Sequence, residues 1–124
     1  MSSKPLTVMI VEDEIMLQDV YRLIIESEGH RVITANNGLE ALQKIKITTP
    51  DVVLLDMLMP VMSGKEFMLN LDLEALPPIK IIVYSNLSDK TVEAEMVQLG
   101  ASDFVIKSSM TPRDLIRLIQ TSTT

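Results

Sequence analysis

The sequence contains no cysteine and no tryptophan, and only two phenylalanines and two tyrosines among its 124 residues. Without cysteine there is neither a disulfide framework nor a thiolate metal site, which fits a reducing compartment. No apolar run approaches the ~18 residues that a membrane-spanning helix needs, so we expect a cytoplasmic protein without a membrane segment. The formal charge of −6 argues against direct nucleic-acid binding, because that binding depends on Lys and Arg at the phosphates.

Aliphatic residues supply the bulk that the scarce aromatics do not. Hydrophobic residues make up 47% of the chain and include nine methionines, so Val, Ile, Leu and Met must fill the core. A chain of this length suits one hydrophobic core. We therefore expect a single domain over residues 1–124, with an N-terminal tail at residues 1–5 and a polar tail, or the start of a linker, at residues 120–124.

Short apolar runs alternate with amphipathic segments along the chain. The runs are typical of strands buried on both faces, and they cover residues 6–11, 31–35, 52–55, 79–84 and 103–106. After the first run, Leu17, Val20 and Ile24 recur at helical spacing and indicate the apolar face of a first helix. The pattern predicts a strand followed by a helix, repeated five times.

Residues that favour helix N-termini precede three of the later amphipathic segments. Asn37 is followed three residues on by Glu40, and residues 63–66 (SGKE) have the form of a capping box. Thr111 and Pro112 supply an N-cap and a first-position proline for the last helix. These patterns predict where the helices begin.

Five strand-helix units joined by short loops predict an α/β fold, a doubly wound, five-stranded parallel sheet with helices on both faces. Right-handed crossovers between parallel strands place the helices there. In the flavodoxin-like strand order 2-1-3-4-5, strands one and three are neighbours and strand four lies beside strand three. The carboxyl ends of these strands then share one edge of the sheet, where ligands bind in such folds.

Polar residues follow four of the five predicted strands. The stretch DVVLLDMLMP at residues 51–60 places Asp56 directly after a buried strand, where a carboxylate costs free energy unless something pairs with it. Glu12 and Asp13 follow the first strand, Ser85 follows the fourth and Lys107 follows the fifth. We expect all of them to meet in one pocket at the sheet edge.

Metal-assisted phosphoryl transfer is the chemistry that this set of groups favours. Three crowded carboxylates raise one another's pKa unless a hard cation such as Mg²⁺ or Mn²⁺ lies among them. Asp56 is then placed to attack phosphorus as a carboxylate nucleophile, while Lys107 and the Ser85 hydroxyl stabilise the phosphoryl oxygens. Taken singly, each residue has a simpler interpretation, as a turn residue, a first-turn acid or a surface lysine. Their occurrence at four strand ends together favours the site.

The chain resembles the receiver domain of two-component response regulators over essentially its whole length. The resemblance is carried by VEDE at residues 11–14, LLDMLMP at 54–60 with Gly64 following, YS at 84–85 and GASDFVIK at 100–107. It implies a phosphorylation-dependent signalling switch, not a classical enzyme, that catalyses its own phosphorylation and dephosphorylation. Its phosphodonor would be a sensor histidine kinase, a phosphotransfer protein or a small phosphodonor.

The resemblance also assigns roles to single residues. It implies that Asp56 is the phosphoacceptor, and that Lys107 binds the phosphoryl group. Mg²⁺ would be held by Glu12, Asp13, Asp56 and the backbone carbonyl of Leu58.

The resemblance implies that two further residues change position when the domain is phosphorylated. Ser85 would move toward the new phosphate and Phe104 would swing inward. The change would alter the face formed by the fourth helix, fifth strand and fifth helix, which would contact a downstream protein or output domain. The domain would be a monomer or a phosphorylation-promoted dimer.

Some positions depart from the family pattern. Ser108 follows the lysine where the family usually has proline, often with a cis bond, and Asn86 follows Ser85 where small residues are common. Leu58 and Leu87 occupy positions that flank the approach of the hydrolytic water in the family. From their apolar bulk we expect a long-lived phosphorylated form.

Three other functions stay open on the sequence. A flavodoxin-type electron carrier shares the fold but needs a hydroxyl- and glycine-rich loop after strand one, where this chain has VEDEIM. A phosphatase of the haloacid dehalogenase type normally has a second acid two residues after the nucleophile, where Leu58 stands. A degenerate receiver that only binds partners stays open because of Ser108 and Asn86.

Overall fold

The computed structural model describes residues 4–86 and 89–121 and contains one parallel sheet. Its strands pair in the order β2-β1-β3-β4-β5, which confirms the predicted α/β fold. The strands are β1 Thr7–Val11, β2 Arg31–Ala35, β3 Val52–Asp56, β4 Lys80–Ser85 and β5 Asp103–Ile106.

Five α-helices connect and follow the strands. They are α1 Ile15–Ser27, α2 Gly38–Ile45, α3 Gly64–Asn70, α4 Lys90–Gln98 and α5 Pro112–Gln120. Two short 3₁₀ turns, Leu73–Ala75 and Lys107–Ser109, complete the regular structure of the described residues. Among those residues, no helix combines the length and the apolar character required to cross a membrane.

The predicted helix starts are confirmed by their hydrogen bonds. The Glu40 backbone N–H donates to the side chain of Asn37 at 2.9 Å. Ser63 and Glu66 form the reciprocal capping box, with distances of 3.2 Å and 3.0 Å between side chain and backbone. Thr111 caps α5 in the same way. These bonds satisfy N–H groups that the first helical turn leaves without an intrahelical partner.

The hydrophobic core is divided by the sheet into two clusters, because successive side chains of a strand point to opposite faces. Val53 and Leu55 of the central strand β3 pack under α2, α3 and α4, whereas Val52 and Leu54 pack under α1 and α5. All four are fully buried. The unbroken apolar run before Asp56 is therefore the sequence of a strand covered on both faces.

The apolar face predicted for α1 is wrong by one position. Val20 is 49% exposed, and Leu17 and Ile24 are only partly buried. The buried residues of this helix are Gln18, Tyr21 and Ile25. Gln18 can turn inward because its side-chain amide donates to the backbone carbonyl of Glu12 at 2.9 Å, which offsets the cost of burying a polar group.

The register of the sheet brings the strand ends to one edge. Val11 is opposite Leu55, and Asp56 is opposite Tyr84. Asp56 and Ser85 are the last residues of β3 and β4 and do not lie in the loops that follow. Their backbones are therefore held by the sheet, which fixes the positions from which their side chains start.

Candidate functional site

Three carboxylates meet at the carboxyl edge of the sheet. Glu12, Asp13 and Asp56 each offer an oxygen, and these oxygens all lie within 4.8 Å of one another. Glu12 is fully buried and Asp56 is 5% exposed, whereas Asp13 is exposed. Helix α1 begins only at Ile15, so Glu12 and Asp13 are not first-turn acids of that helix. The cluster is therefore open to solvent on the side where Asp13 lies.

Lys107 reaches this cluster from the end of β5. Its Nζ lies 3.2 Å from Glu12 Oε1 and 3.5 Å from Asp56 Oδ2. Only 13% of its side chain is exposed, so it is not a surface lysine. Peptide bonds are trans throughout the described residues, including the bond from Lys107 to Ser108. Burial would lower the pKa of Lys107, but the Asp56 and Glu12 carboxylates raise it above its usual value.

Glu12 has a partner for each carboxylate oxygen. The Tyr84 hydroxyl donates to Oε1 at 2.7 Å, and the Glu14 backbone N–H donates to Oε2 at 3.0 Å. Burial alone would raise the pKa of Glu12, yet these hydrogen bonds and the charge of Lys107 lower it below the ordinary value. Burial and the Glu12 charge raise the pKa of Tyr84 well above normal, so its hydroxyl stays a donor. Glu12 is therefore an ionised, paired carboxylate.

The pKa of Asp56 is shifted in the opposite direction to that of Glu12. Burial and the neighbouring Glu12 charge raise its pKa to about 7, against the opposing effects of Lys107 and of the Leu58 N–H, which donates to Asp56 Oδ1 at 3.3 Å. A divalent cation among the three acids would favour the ionised form. Each of the three acids offers a carboxylate oxygen as a ligand atom, so these residues fit a hard cation such as Mg²⁺ or Mn²⁺.

The loop after β3 packs closely against Asp56. A Cβ at Gly64 would lie 2.5 Å from the backbone oxygen of Asp56, a distance that real Cβ atoms do not adopt. The Gly64 N–H also donates to the Met57 carbonyl at 3.0 Å. Glycine is required here because of this close approach.

Residues 8–120 match the family model of the response regulator receiver domain. The chain belongs to this family. The receiver domain is a switch of two-component signalling and not a classical enzyme, which sets aside the electron carrier and the dehalogenase-type phosphatase.

Individual relatives agree with this assignment. The chain is 35% identical to the chemotaxis protein CheY of Thermotoga maritima over 101 residues, covering 81% of this chain and 83% of that protein. It is 38% identical over 106 residues to a protein-glutamate methylesterase/protein-glutamine glutaminase of Bacillus licheniformis, but spans only 29% of its length. The crystal structure of Vibrio cholerae CheY4 has a TM-score of 0.87 at 26% identity, covering 95% of this chain and 98% of that one.

Ser85 ends β4, one residue after Tyr84, which is opposite Asp56 in the sheet register. Ser85 is 6% exposed. Its side chain faces the same side of the sheet as that of Val83, two residues earlier, because successive side chains of a strand alternate between the two faces. Phe104, opposite Val83 on β5, is partly buried against the α2-α3-α4 core cluster. A cavity of about 100 Å³ lies at the end of β4, lined by Met57, Leu58, Ser85, Asp89 and Val92.

The positions that depart from the family pattern lie at the rim of the site. Asn86 is exposed directly after β4, and Leu58 is 65% exposed directly after Asp56 and Met57. Leu87 lies outside the described residues. Leu58 is therefore the position at which the expectation of a long-lived phosphorylated form can be tested.

Sequence reasoning missed two residues that hold the site together. The sequence motif marks Tyr84 only as the neighbour of Ser85, whereas in the structure its hydroxyl reaches Glu12 across β3. Gln18 is the polar member of the buried face of α1, and it binds the end of β1 through the Glu12 carbonyl. A tyrosine at the end of a buried strand was the available signal, because a buried phenol needs a hydrogen-bond partner.

Proposed function

We propose that Asp56 accepts a phosphoryl group from a sensor histidine kinase, a phosphotransfer protein or a small phosphodonor, and that the acyl phosphate switches this cytoplasmic receiver domain. The observation that carries the proposal is the buried Asp56 carboxylate, 3.5 Å from the ammonium of Lys107, in a cluster of three acids. A nucleophile, a fixed cation and a set of oxygen ligands are the parts that phosphoryl transfer needs.

The transfer step requires no separate base. An ionised Asp56 oxygen forms the new bond to phosphorus as the bond from phosphorus to the donor nitrogen or oxygen breaks, and the bonding electron pair leaves with the donor. Lys107 then moves its contact to the phosphoryl oxygens, to which the Ser85 hydroxyl also donates. Both groups act by positioning and by charge stabilisation, because the transition state spreads negative charge over the transferred oxygens.

Glu12, Asp13, Asp56 and the Leu58 carbonyl would hold Mg²⁺ or Mn²⁺. When bound, the cation neutralises negative charge on the carboxylates and on the phosphoryl oxygens. The raised pKa of Asp56 supports this assignment, since an acceptor that is half protonated near neutral pH needs a nearby positive charge to react as an anion.

The output of the switch is proposed at the face formed by α4, β5 and α5. A phosphoryl group adds nearly two negative charges and three strong acceptors, so a hydroxyl that moves to bind it carries its loop along. Ser85 would make this movement, and Phe104, which is opposite Val83 in the sheet and partly buried against the α2-α3-α4 core cluster, would follow it. A downstream protein or output domain, or a second receiver domain in a phosphorylation-promoted dimer, would bind the altered face.

The proposal is tested by incubation with Mg²⁺ and acetyl phosphate followed by intact mass spectrometry. Wild type should gain the mass of one phosphoryl group, and Asp56→Ala should not. Asp19→Ala removes an exposed acid of α1 and serves as the matched control, which should be modified as wild type is. Equal modification of Asp56→Ala and wild type would refute Asp56 as the acceptor.

A further inference from the structure

Tyr84 joins two strands that are not neighbours. It is the penultimate residue of β4, whereas Glu12 follows β1, and β3 with Asp56 lies between them. The Tyr84 hydroxyl donates to Glu12 Oε1 at 2.7 Å. Both residues are fully buried, and the Tyr84 ring is packed edge-on against Tyr21, with centroids 5.7 Å apart at 82°. The phenol is a fixed donor inside the site.

Tyr84 and Lys107 both contact the same carboxylate oxygen, Oε1 of Glu12. Lys107 Nζ lies 3.2 Å from the same Glu12 Oε1 and 5.2 Å from the centroid of the Tyr84 ring. In the proposed function, Lys107 leaves this oxygen to bind the phosphoryl group. A cation among the acids also repels the Lys107 ammonium, so metal binding favours the same departure.

A buried carboxylate that loses its ion-pair partner is strongly destabilised unless another donor stays with it. Glu12 keeps the Glu14 N–H on Oε2 whether or not Lys107 moves. Oε1 keeps a donor only because the Tyr84 hydroxyl is there. The tyrosine thus lowers the cost of separating Lys107 from Glu12.

We propose that Tyr84 is a positioning residue that holds the Glu12 carboxylate and frees Lys107 for the phosphoryl group. The inference rests on the proposed function for the role of Lys107, but its first consequence concerns Mg²⁺ binding alone. Without the hydroxyl, Lys107 becomes the only donor to Oε1, stays on Glu12 and opposes the cation. Neighbouring partners of metal-binding side chains commonly change metal affinity tenfold or more.

Calorimetric titration with MgCl₂ tests this consequence. Tyr84→Phe should bind Mg²⁺ about tenfold more weakly than wild type, because only the hydroxyl is removed. Tyr21→Phe deletes a hydroxyl from the adjacent buried ring, which has no bond to Glu12, and should stay within about twofold of wild type. Equal affinity of Tyr84→Phe and wild type would overturn the proposal.

A spectroscopic measurement keeps the test decisive if Tyr84→Phe does not fold. The chain has no tryptophan and two tyrosines, so Tyr84 is the only tyrosine of Tyr21→Phe and can be excited selectively at wavelengths that phenylalanine does not absorb. Its near-ultraviolet absorption and fluorescence should change on addition of Mg²⁺, saturating at the concentration found by calorimetry, because Lys107 leaves the ring. A constant Tyr84 signal while Mg²⁺ binds would contradict the proposal.

The two proposals can fail separately. If Mg²⁺ binds and depends on Tyr84 but acetyl phosphate leaves Asp56 unmodified, the proposed phosphoryl transfer is wrong and the role of Tyr84 at Glu12 stands. If Asp56 is phosphorylated normally and Tyr84→Phe binds Mg²⁺ as wild type does, the receiver function stands and the role of Tyr84 is wrong.

Discussion

The ammonium group of Lys107 lies 3.5 Å from the carboxylate of Asp56, joining residues 51 positions apart in the sequence. The same ammonium is closer to Glu12, at 3.2 Å. Lys107 is thus held between a carboxylate with a lowered pKa and one with a raised pKa.

Removing the lysine should destabilise the fold as well as slow phosphorylation. Lys107→Met leaves the buried Glu12 and Asp56 without their shared cation, so we expect a loss of about 2–3 kcal/mol in the free energy of unfolding. Urea denaturation measures this loss. Lys65, which pairs with Glu95 at 3.1 Å where both side chains are over 40% exposed, is the matched control. Lys65→Met should cost less than about 1 kcal/mol, and similar losses for the two variants would contradict the prediction.

The stability of the metal-free protein should fall as the pH rises toward neutrality. The pKa of Asp56 is about 7 in the folded protein and 3.8 as the reference value, so the folded state binds more protons between these limits. Relative to Asp56→Asn, wild type should therefore lose about 1 kcal/mol per pH unit between pH 5 and pH 7.

Denaturation of wild type and Asp56→Asn at several pH values measures that difference and cancels groups common to both proteins. Mg²⁺ should restore much of the stability of wild type at pH 8, where Asp56 is ionised, and little of that of Asp56→Asn. A constant difference between the two proteins across this pH range would show that the Asp56 pKa is not raised.

The loop between Asp56 and α3 contains a strained residue. Val61 adopts φ of 67°, which β-branched residues rarely accept, and its side chain is 73% exposed. Val61→Gly should stabilise the protein by about 0.5–1 kcal/mol, because relief of strain outweighs the added flexibility of the unfolded chain. Ile47→Gly, at an 84% exposed turn position, should destabilise it, and urea denaturation distinguishes the two signs.

The lifetime of the phosphorylated form should depend on Leu58. Its exposed side chain stands two residues after Asp56, and we expect an apolar group there to hinder an approaching water more than an amide would. After removal of the phosphodonor, Leu58→Asn should lose phosphate several-fold faster than wild type. Intact mass spectrometry at successive times measures the decay. Leu69→Asn changes a 59% exposed leucine on α3 and should decay as wild type does. Equal decay of Leu58→Asn and wild type would remove the hypothesis.

Local patterns predicted the fold well because each depends on neighbouring residues. The alternation of apolar runs and amphipathic segments predicted the strands to within one residue at each end, and Asn37, Ser63 and Thr111 marked helix starts. The strand order then followed from the short connections and the handedness of parallel crossovers. The predicted apolar face of α1 was wrong because a contact distant in sequence decides which side of that helix is buried. Gln18 lies on the buried side, where its amide donates to the Glu12 carbonyl at the end of β1.

By itself, the sequence determined that acids, a hydroxyl and a lysine stand at strand ends, since parallel strands deliver their carboxyl ends to one edge. Only the tertiary structure decided how these groups divide their bonds. Tyr84 reaches Glu12 across an intervening strand, and Lys107 lies between two carboxylates of opposite pKa shift. Such contacts depend on side-chain direction and burial between residues at least 51 positions apart, which no local periodicity encodes.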